Sequence, residues 1–199
     1  ITADTAVDSL THAIEAYVSK KAFEYTDAFA LAAMPAIVTN VRIACMEPEN
    51  AKARQNLMLA ASQAGMAFSN SSVALVHGMS RPIGAHFHVA HGLSNAMLLP
   101  KITEFSIEGN KERYATCARA MKWAIETDNN ATACSKLIEN LFILNDDLKV
   151  PSPKILGHSA DQNMFKLMAS QALASGSPQN NPRVPTENQI IELYEQIWD

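Results

Sequence analysis

The chain has 199 residues, of which 48% are hydrophobic and 18% charged, with a formal net charge of −4. Seven Gly and nine Pro are too few for a linker or a collagen-like chain, and the balance is that of a globular fold rather than a disordered one. The negative balance argues against nucleic-acid binding through a broad basic face. The longest uninterrupted apolar runs, such as AFALAAMPAIV, fall short of the roughly 20 residues a spanning helix needs, so no membrane segment is expected.

A single domain is the default at this length, large enough to bury roughly 70% of its unfolded surface. Cys45, Cys117 and Cys134 are odd in number, widely spaced and without a CxxC pair, and read as reduced core thiols of a cytoplasmic protein. The sequence opens on Ile1 without a signal peptide, and helical patterning begins almost at once. The expectation is a piece of a longer polypeptide.

Apolar residues recur at helical spacing and no stretch alternates convincingly, so an all-α fold of about eight or nine helices is expected. The first helix is expected over about 4–20, where Val7, Leu10, Ala13, Ile14 and Val18 recur at steps of three or four. An Ala-rich second helix covers about 25–45, with Pro35 as a kink. The third, about 50–68, starts at an Asn able to cap it. After the break SNSS (69–72), a short helix over about 73–79 is expected to stop before Pro82. Another follows His91 and meets Pro100, and two more occupy about 111–126 and 132–145. The turn PSPK (151–154) opens the last third, where helices over about 160–174 and 187–198 flank the polar loop SGSPQNNPRVP.

The six histidines are unevenly placed: His77, His86, His88 and His91 fall within fifteen residues, His12 is near the start and His158 is alone. Asp8 and His12 are four residues apart, one turn along one helix face. They can share a metal ion or form an ordinary intrahelical pair. Pro82 and Gly84 lie between His77 and His91, so the chain must fold back to bring the two together. Gly78 and Gly92 follow these two His and would let backbone pack closely around a site. Any one of these His can be a buried, hydrogen-bonded core residue; the group as a whole points to metal ligation.

DSLTHAIEAYVS (8–19), GMAFSN (65–70) and LVHGMSRPIGAHFHVAHGLSNAMLLP (75–100) resemble the iron-containing alcohol dehydrogenase family, as do SGSPQNNPR (175–183) and ELYEQIW (192–198). The similarity runs along essentially the whole chain, but only to the C-terminal, all-helical half of such enzymes. It implies one divalent metal held by Asp8, His12, His77 and His91, with Fe²⁺ expected and Zn²⁺ able to compete. Phe68 matches an aromatic residue beside the nicotinamide and substrate pocket, and also reads as a plain core Phe. His86 and His88 match no ligand position and are read as supporting or surface residues, while His158 is read as solvated or capping. Glu15 lies three residues beyond His12 and either supports the site or forms a structural salt bridge.

Two departures stand out. Lactaldehyde reductases of the family carry a further His where this chain has Arg81, so a His-mediated proton relay is not implied. They also carry a Cys near the NPR motif, where this chain reads SGSPQNN.

Three imidazoles and one carboxylate leave a position open on a divalent metal, which polarises an alcohol or carbonyl oxygen for hydride exchange with NAD or NADP. No GxGxxG or GGGS turn occurs, so the dinucleotide is expected on an N-terminal α/β domain outside this chain, and the chain alone is expected to be inactive. A small alcohol or aldehyde is the expected substrate; no nucleic acid or membrane partner is expected, and a homo-oligomer fits the resemblance. Three alternatives stand beside this reading. A helical metal phosphohydrolase needs an adjacent His–Asp pair, which is absent. A non-catalytic helical assembly domain would carry structural histidines. The glycerol dehydrogenase and dehydroquinate synthase branch shares the two-domain plan.

Overall fold

Helices and two 3₁₀ turns, with no strand, make up the regular structure of residues 1–198, which are the residues described by the computed structural model. In chain order they are α1 (Thr2–Val18), α2 (Glu24–Met46), α3 (Ala51–Asn70), α4 (Leu75–Phe87), α5 (His91–Ser106), a 3₁₀ turn (Ile107–Gly109), α6 (Lys111–Ala120), α7 (Asn130–Asp147), α8 (Gln162–Ala174), a second 3₁₀ turn (Ser177–Asn180) and α9 (Glu187–Trp198). The all-α expectation and the helix number hold.

Helix α1 is the hub. It packs on α2, α3 and α5, and its residues from Leu10 to Val18 are buried apart from His12. Leu10, Ile14, Met34, Ile37, Leu75, Met79, Leu98 and Leu99 are fully enclosed, each contributing roughly 1.5–3 kcal/mol of burial. Helices α4 and α5 pack on each other, α8 covers α4, and α9 joins α8 and α5. Tyr194 on α9 donates its hydroxyl to the Met79 carbonyl at 2.7 Å.

Side chains start several helices as expected from their residue types. Asn50, Asn110, Asn129 and Asp161 each accept from a backbone N–H three residues on. Thr186 and Gln189 form a reciprocal capping pair before α9.

Three sequence expectations are corrected. Helix α4 does not stop before Pro82 but runs through it to Phe87, because the buried Pro82 ring and its neighbours are packed into the core, and packing overrides propensity. Helix α5 likewise continues past Pro100 to Ser106. Pro100 has no N–H for the Ala96 carbonyl, and the Asn145 side-chain amide donates to that carbonyl instead at 2.7 Å. Helix α6 ends at Ala120 rather than near 126. Lys122 there is left-handed (φ 58°), with Trp123 N–H bonding to Ala118 O and Lys122 N–H to Arg119 O. Those are the two bonds of a Schellman stop, made without glycine.

Helix α2, with Pro35 inside it, is also long and apolar enough to cross a membrane, at 23 residues and a mean hydropathy of 1.6. Counting uninterrupted apolar runs misses this. Here its apolar side, Ala30, Ala33, Met34, Ile37 and Val41, is buried against α1 and α3 as in a core helix. All three cysteines are free, with Cys117 and Cys134 buried.

Candidate metal centre

The site forms where the middle of α1 meets the start of α4 and the start of α5. Asp8 and His12 come from one face of α1, His77 from the first turn of α4 and His91 from the first residue of α5. One ligand atom from each of these four residues lies within 4.8 Å of the others. Asp8 Oδ1 is 3.6 Å from both His77 Nε2 and His91 Nε2, and 3.8 Å from His12 Nδ1.

Two local features bring the elements together. His88 turns left-handed (φ 55°) and ends α4, so that α5 can start three residues later and fold back. At Gly92, a Cβ would fall 2.6 Å from the Asp4 carbonyl oxygen and 3.3 Å from the Asp8 Cβ. Only glycine lets the first turn of α5 lie directly on α1, and that contact carries His91 to Asp8.

Both readings of Glu15 meet in one contact, a buried pairing with the His77 ring behind the cluster. Glu15 is buried, and its carboxylate accepts from Ala74 N, Val76 N and His77 N at 2.9, 2.6 and 3.4 Å. It thereby closes the N-terminal end of α4, where unpaired N–H groups and the helix dipole favour an anion. The same carboxylate bonds to His77 Nδ1 at 2.6 Å. That contact fixes the ring and turns Nε2 toward the cluster.

Asn95, four residues after His91, was not singled out from sequence. Fully buried, it donates through Nδ2 to Asp8 Oδ1 at 2.6 Å and lies 3.2 Å from Nε2 of both His77 and His91. Its Oδ1 is buried and has no partner. The only available signal was its spacing from His91, the same i, i+4 relation that links Asp8 and His12.

The titration behaviour expresses a conflict. Burial opposes protonation of His77, yet its bonds to Asp8 and Glu15, and their charges, push its pKa up to about 9. Burial and the His77 charge push His12 down to about 4. Burial alone would raise Asp8, but bonding to His77, the His12 charge and the Asn95 amide hold it below the usual carboxylate range. The carboxylates thus draw a proton onto His77, while the Asn95 amide nitrogen, itself only a donor, lies 3.2 Å from that ring's Nε2. Lone pairs converge here in excess of the protons available to satisfy them. A divalent cation answers both demands, and three imidazoles with one carboxylate suit a first-row metal with an open position.

Phe68 stacks on the His12 ring at 4.2 Å, so it lines the cluster rather than a remote part of the core. His86 bonds to Gln171 at 2.8 Å and His88 is the exposed end of α4; neither joins the cluster. His158 packs half-buried against Phe87, at 5.3 Å, rather than standing in solvent. The NPR motif is a clasp. Asn181 donates to Ser106 Oγ at 2.9 Å, and Arg183 lies over the Phe105 ring and donates to the Phe105 carbonyl.

Comparison with known proteins identifies the family and the fold. Residues 2–198 match the profile of the Fe-containing alcohol dehydrogenase family, C-terminal. A 1,3-propanediol dehydrogenase of Citrobacter freundii is 36% identical over all of this chain and 51% of its own length. A lactaldehyde reductase of Escherichia coli is 34% identical over 98% of the chain and 50% of its own length. The solved structure of a 1,3-propanediol oxidoreductase superposes with a TM-score of 0.93 at 35% identity, over 98% of this chain and 51% of that one. The Oenococcus oeni alcohol dehydrogenase gives 0.93 at 32% identity, over 99% and 51%. The chain spans about half the length of the curated relatives it matches. It belongs to the iron-containing alcohol dehydrogenase family, to whose C-terminal half its sequence and fold correspond.

Proposed function

We propose that this domain holds one divalent metal through Asp8, His12, His77 and His91, and serves the interconversion of a small alcohol with its aldehyde or ketone using NAD or NADP. The observation that carries this reading is the convergence of the four ligand atoms, with Glu15 locking His77 from behind. Iron(II) is the family's metal; zinc(II) binds such a donor set more tightly, and supply decides between them.

Held by Asp8, His12, His77 and His91, a divalent cation would supply Lewis acidity toward the substrate oxygen. The protein's own residues do the rest. Glu15 holds the Nδ1 proton of His77 and so keeps Nε2 available for ligation. Asn95 aligns the Asp8 carboxylate. Phe68, stacked on His12, forms an apolar wall suited to a flat nicotinamide ring or the carbon chain of a substrate, and keeps water from that side.

The dinucleotide is assigned to a separate α/β domain, because no strand and no Gly-rich phosphate turn is present among the described residues. The chain alone then gives no NAD(P)-linked oxidation of a small alcohol. Cytoplasmic location, a homo-oligomeric state, and action without membrane or nucleic acid complete the reading. Cobalt(II)-loaded protein titrated with a small primary alcohol tests it. A shift of the visible cobalt bands is expected, and unchanged bands at saturating alcohol contradict the reading.

A further inference from the structure

Asn95 lies on α5 one turn after His91 and is fully buried. Its amide nitrogen touches three of the four candidate ligands: Asp8 Oδ1 at 2.6 Å, and Nε2 of both His77 and His91 at 3.2 Å. With metal–ligand bonds of about 2.0–2.2 Å, two donors of one cation stand about 3.3–3.6 Å apart at a tetrahedral angle and about 2.8–3.1 Å apart at a right angle. Asp8 Oδ1 is 3.6, 3.6 and 3.8 Å from the three imidazole nitrogens, close to the tetrahedral spacing. The Asn95 contacts bracket the right-angle spacing. The end of this side chain therefore stands where a fifth donor of the same cation would stand.

The atom in that place is the wrong one for a metal. A carboxamide nitrogen offers two N–H donors and no ligating lone pair. Here those N–H groups serve the lone pairs of Asp8, His77 and His91. Once a cation takes up the same lone pairs, N–H groups aimed at it are repelled. The far end of the amide does not fix its orientation, because Oδ1 is buried without a protein partner. A half-turn about the terminal torsion of asparagine, which is soft and roughly two-fold, exchanges two ends of nearly equal size. Either way one polar end stays unpartnered in the core, so the cluster alone decides which end it faces.

We propose that the Asn95 amide turns over when a divalent metal enters, presenting Oδ1 to it as a fifth donor. This rests on the reading of the cluster as a metal centre. The fifth donor comes from a fully buried side chain, and the half-exposed His91 edge stays open to the substrate oxygen. It also bears on which metal is held. Zinc(II) is satisfied by four donors, whereas iron(II) sites take further oxygen ligands and keep open positions. An amide oxygen added to three imidazoles and a carboxylate therefore narrows the advantage of zinc(II) over iron(II).

The test compares the native protein with Asn95→Leu, which keeps the size and loses both polar ends, and with Asn95→Asp, which presents oxygen in either orientation. Dissociation constants for zinc(II) and, without oxygen, iron(II) are read by chelator competition. The preference for zinc(II) over iron(II) is expected to rise roughly tenfold or more in Asn95→Leu and not to rise in Asn95→Asp. Affinities for the two metals that change in parallel in Asn95→Leu overturn the proposal. Cobalt(II) spectra give a second reading that needs no variant to fold. The native protein is expected to show the weak visible bands of a cobalt ion with five or more donors, and the intense bands of a four-coordinate ion overturn the proposal. Metal uptake by the native protein separates the two levels. A native chain that takes up none of the three metals refutes the metal reading itself, whereas a loaded chain with four-coordinate bands refutes only the turnover of Asn95.

Discussion

Asn95→Asp changes two atoms' chemistry without changing shape, at the point where the cluster's lone pairs meet. In the metal-free protein Nδ2 makes a 2.6 Å bond to Asp8 and 3.2 Å contacts to two imidazoles, in a fully buried position. A hydrogen bond to a charged partner contributes about 1.5–3 kcal/mol. Asn95→Ala therefore costs the metal-free protein about 2–3 kcal/mol, or a fall in Tm of roughly 4–12 °C for a chain of this size. Asn95→Asp costs more, because a second carboxylate then faces Asp8 at hydrogen-bond distance. With metal present the sign turns: the added carboxylate faces a cation, and much of the loss is recovered. Thermal melts in chelator and with stoichiometric zinc read both states. A metal-induced rise in Tm larger in Asn95→Asp than in the native protein is expected. Equal losses with and without metal would refute the idea that the cluster is arranged around a cation.

Glu15→Gln removes the carboxylate that closes α4 and holds His77; metal affinity measured by chelator competition should fall about 10- to 100-fold, and an unchanged Kd contradicts that role. Gly92→Ala forces α5 away from α1, where the new Cβ would meet the Asp4 carbonyl at 2.6 Å; a loss of about 1–3 kcal/mol together with weaker metal binding is expected, and a Tm within a degree of native counts against it. In chelator, stability should also depend on pH. The folded pKa of His77 is raised from 6.5 to about 9, so its contribution is complete below pH 6.5 and lost as pH rises through 9. His12, lowered from 6.5 to about 4, contributes above pH 6.5 and its contribution is lost as pH falls through 4. A Tm that stays level between pH 6.5 and 9 in metal-free protein contradicts the first of these.

Most helices were legible because their apolar spacing is regular and their first residues are strong caps, as at Asn50. The errors arose where tertiary contacts decide. Nothing local to Pro100 indicates that Asn145, on another helix, takes over the Ala96 carbonyl. The end of α6 was missed because a lysine, not a glycine, adopts the left-handed turn at 122. In the site, the Asp8–His12 pair is visible from spacing, whereas the meeting of His77 with His91 depends on the family likeness and on the Gly92 contact. Glu15 could be read two ways until its bonds to the start of α4 were known. Asn95 gave no chemical signal of its own: an amide inside a helix becomes informative only when its neighbours across the fold are known.

Metal content tests the central claim most directly. Protein purified without chelator should carry about one divalent metal ion per chain, and Asp8→Ala or His77→Ala, folded by circular dichroism, should carry close to none. A native protein without metal, or variants that hold as much as the native chain, would contradict the account.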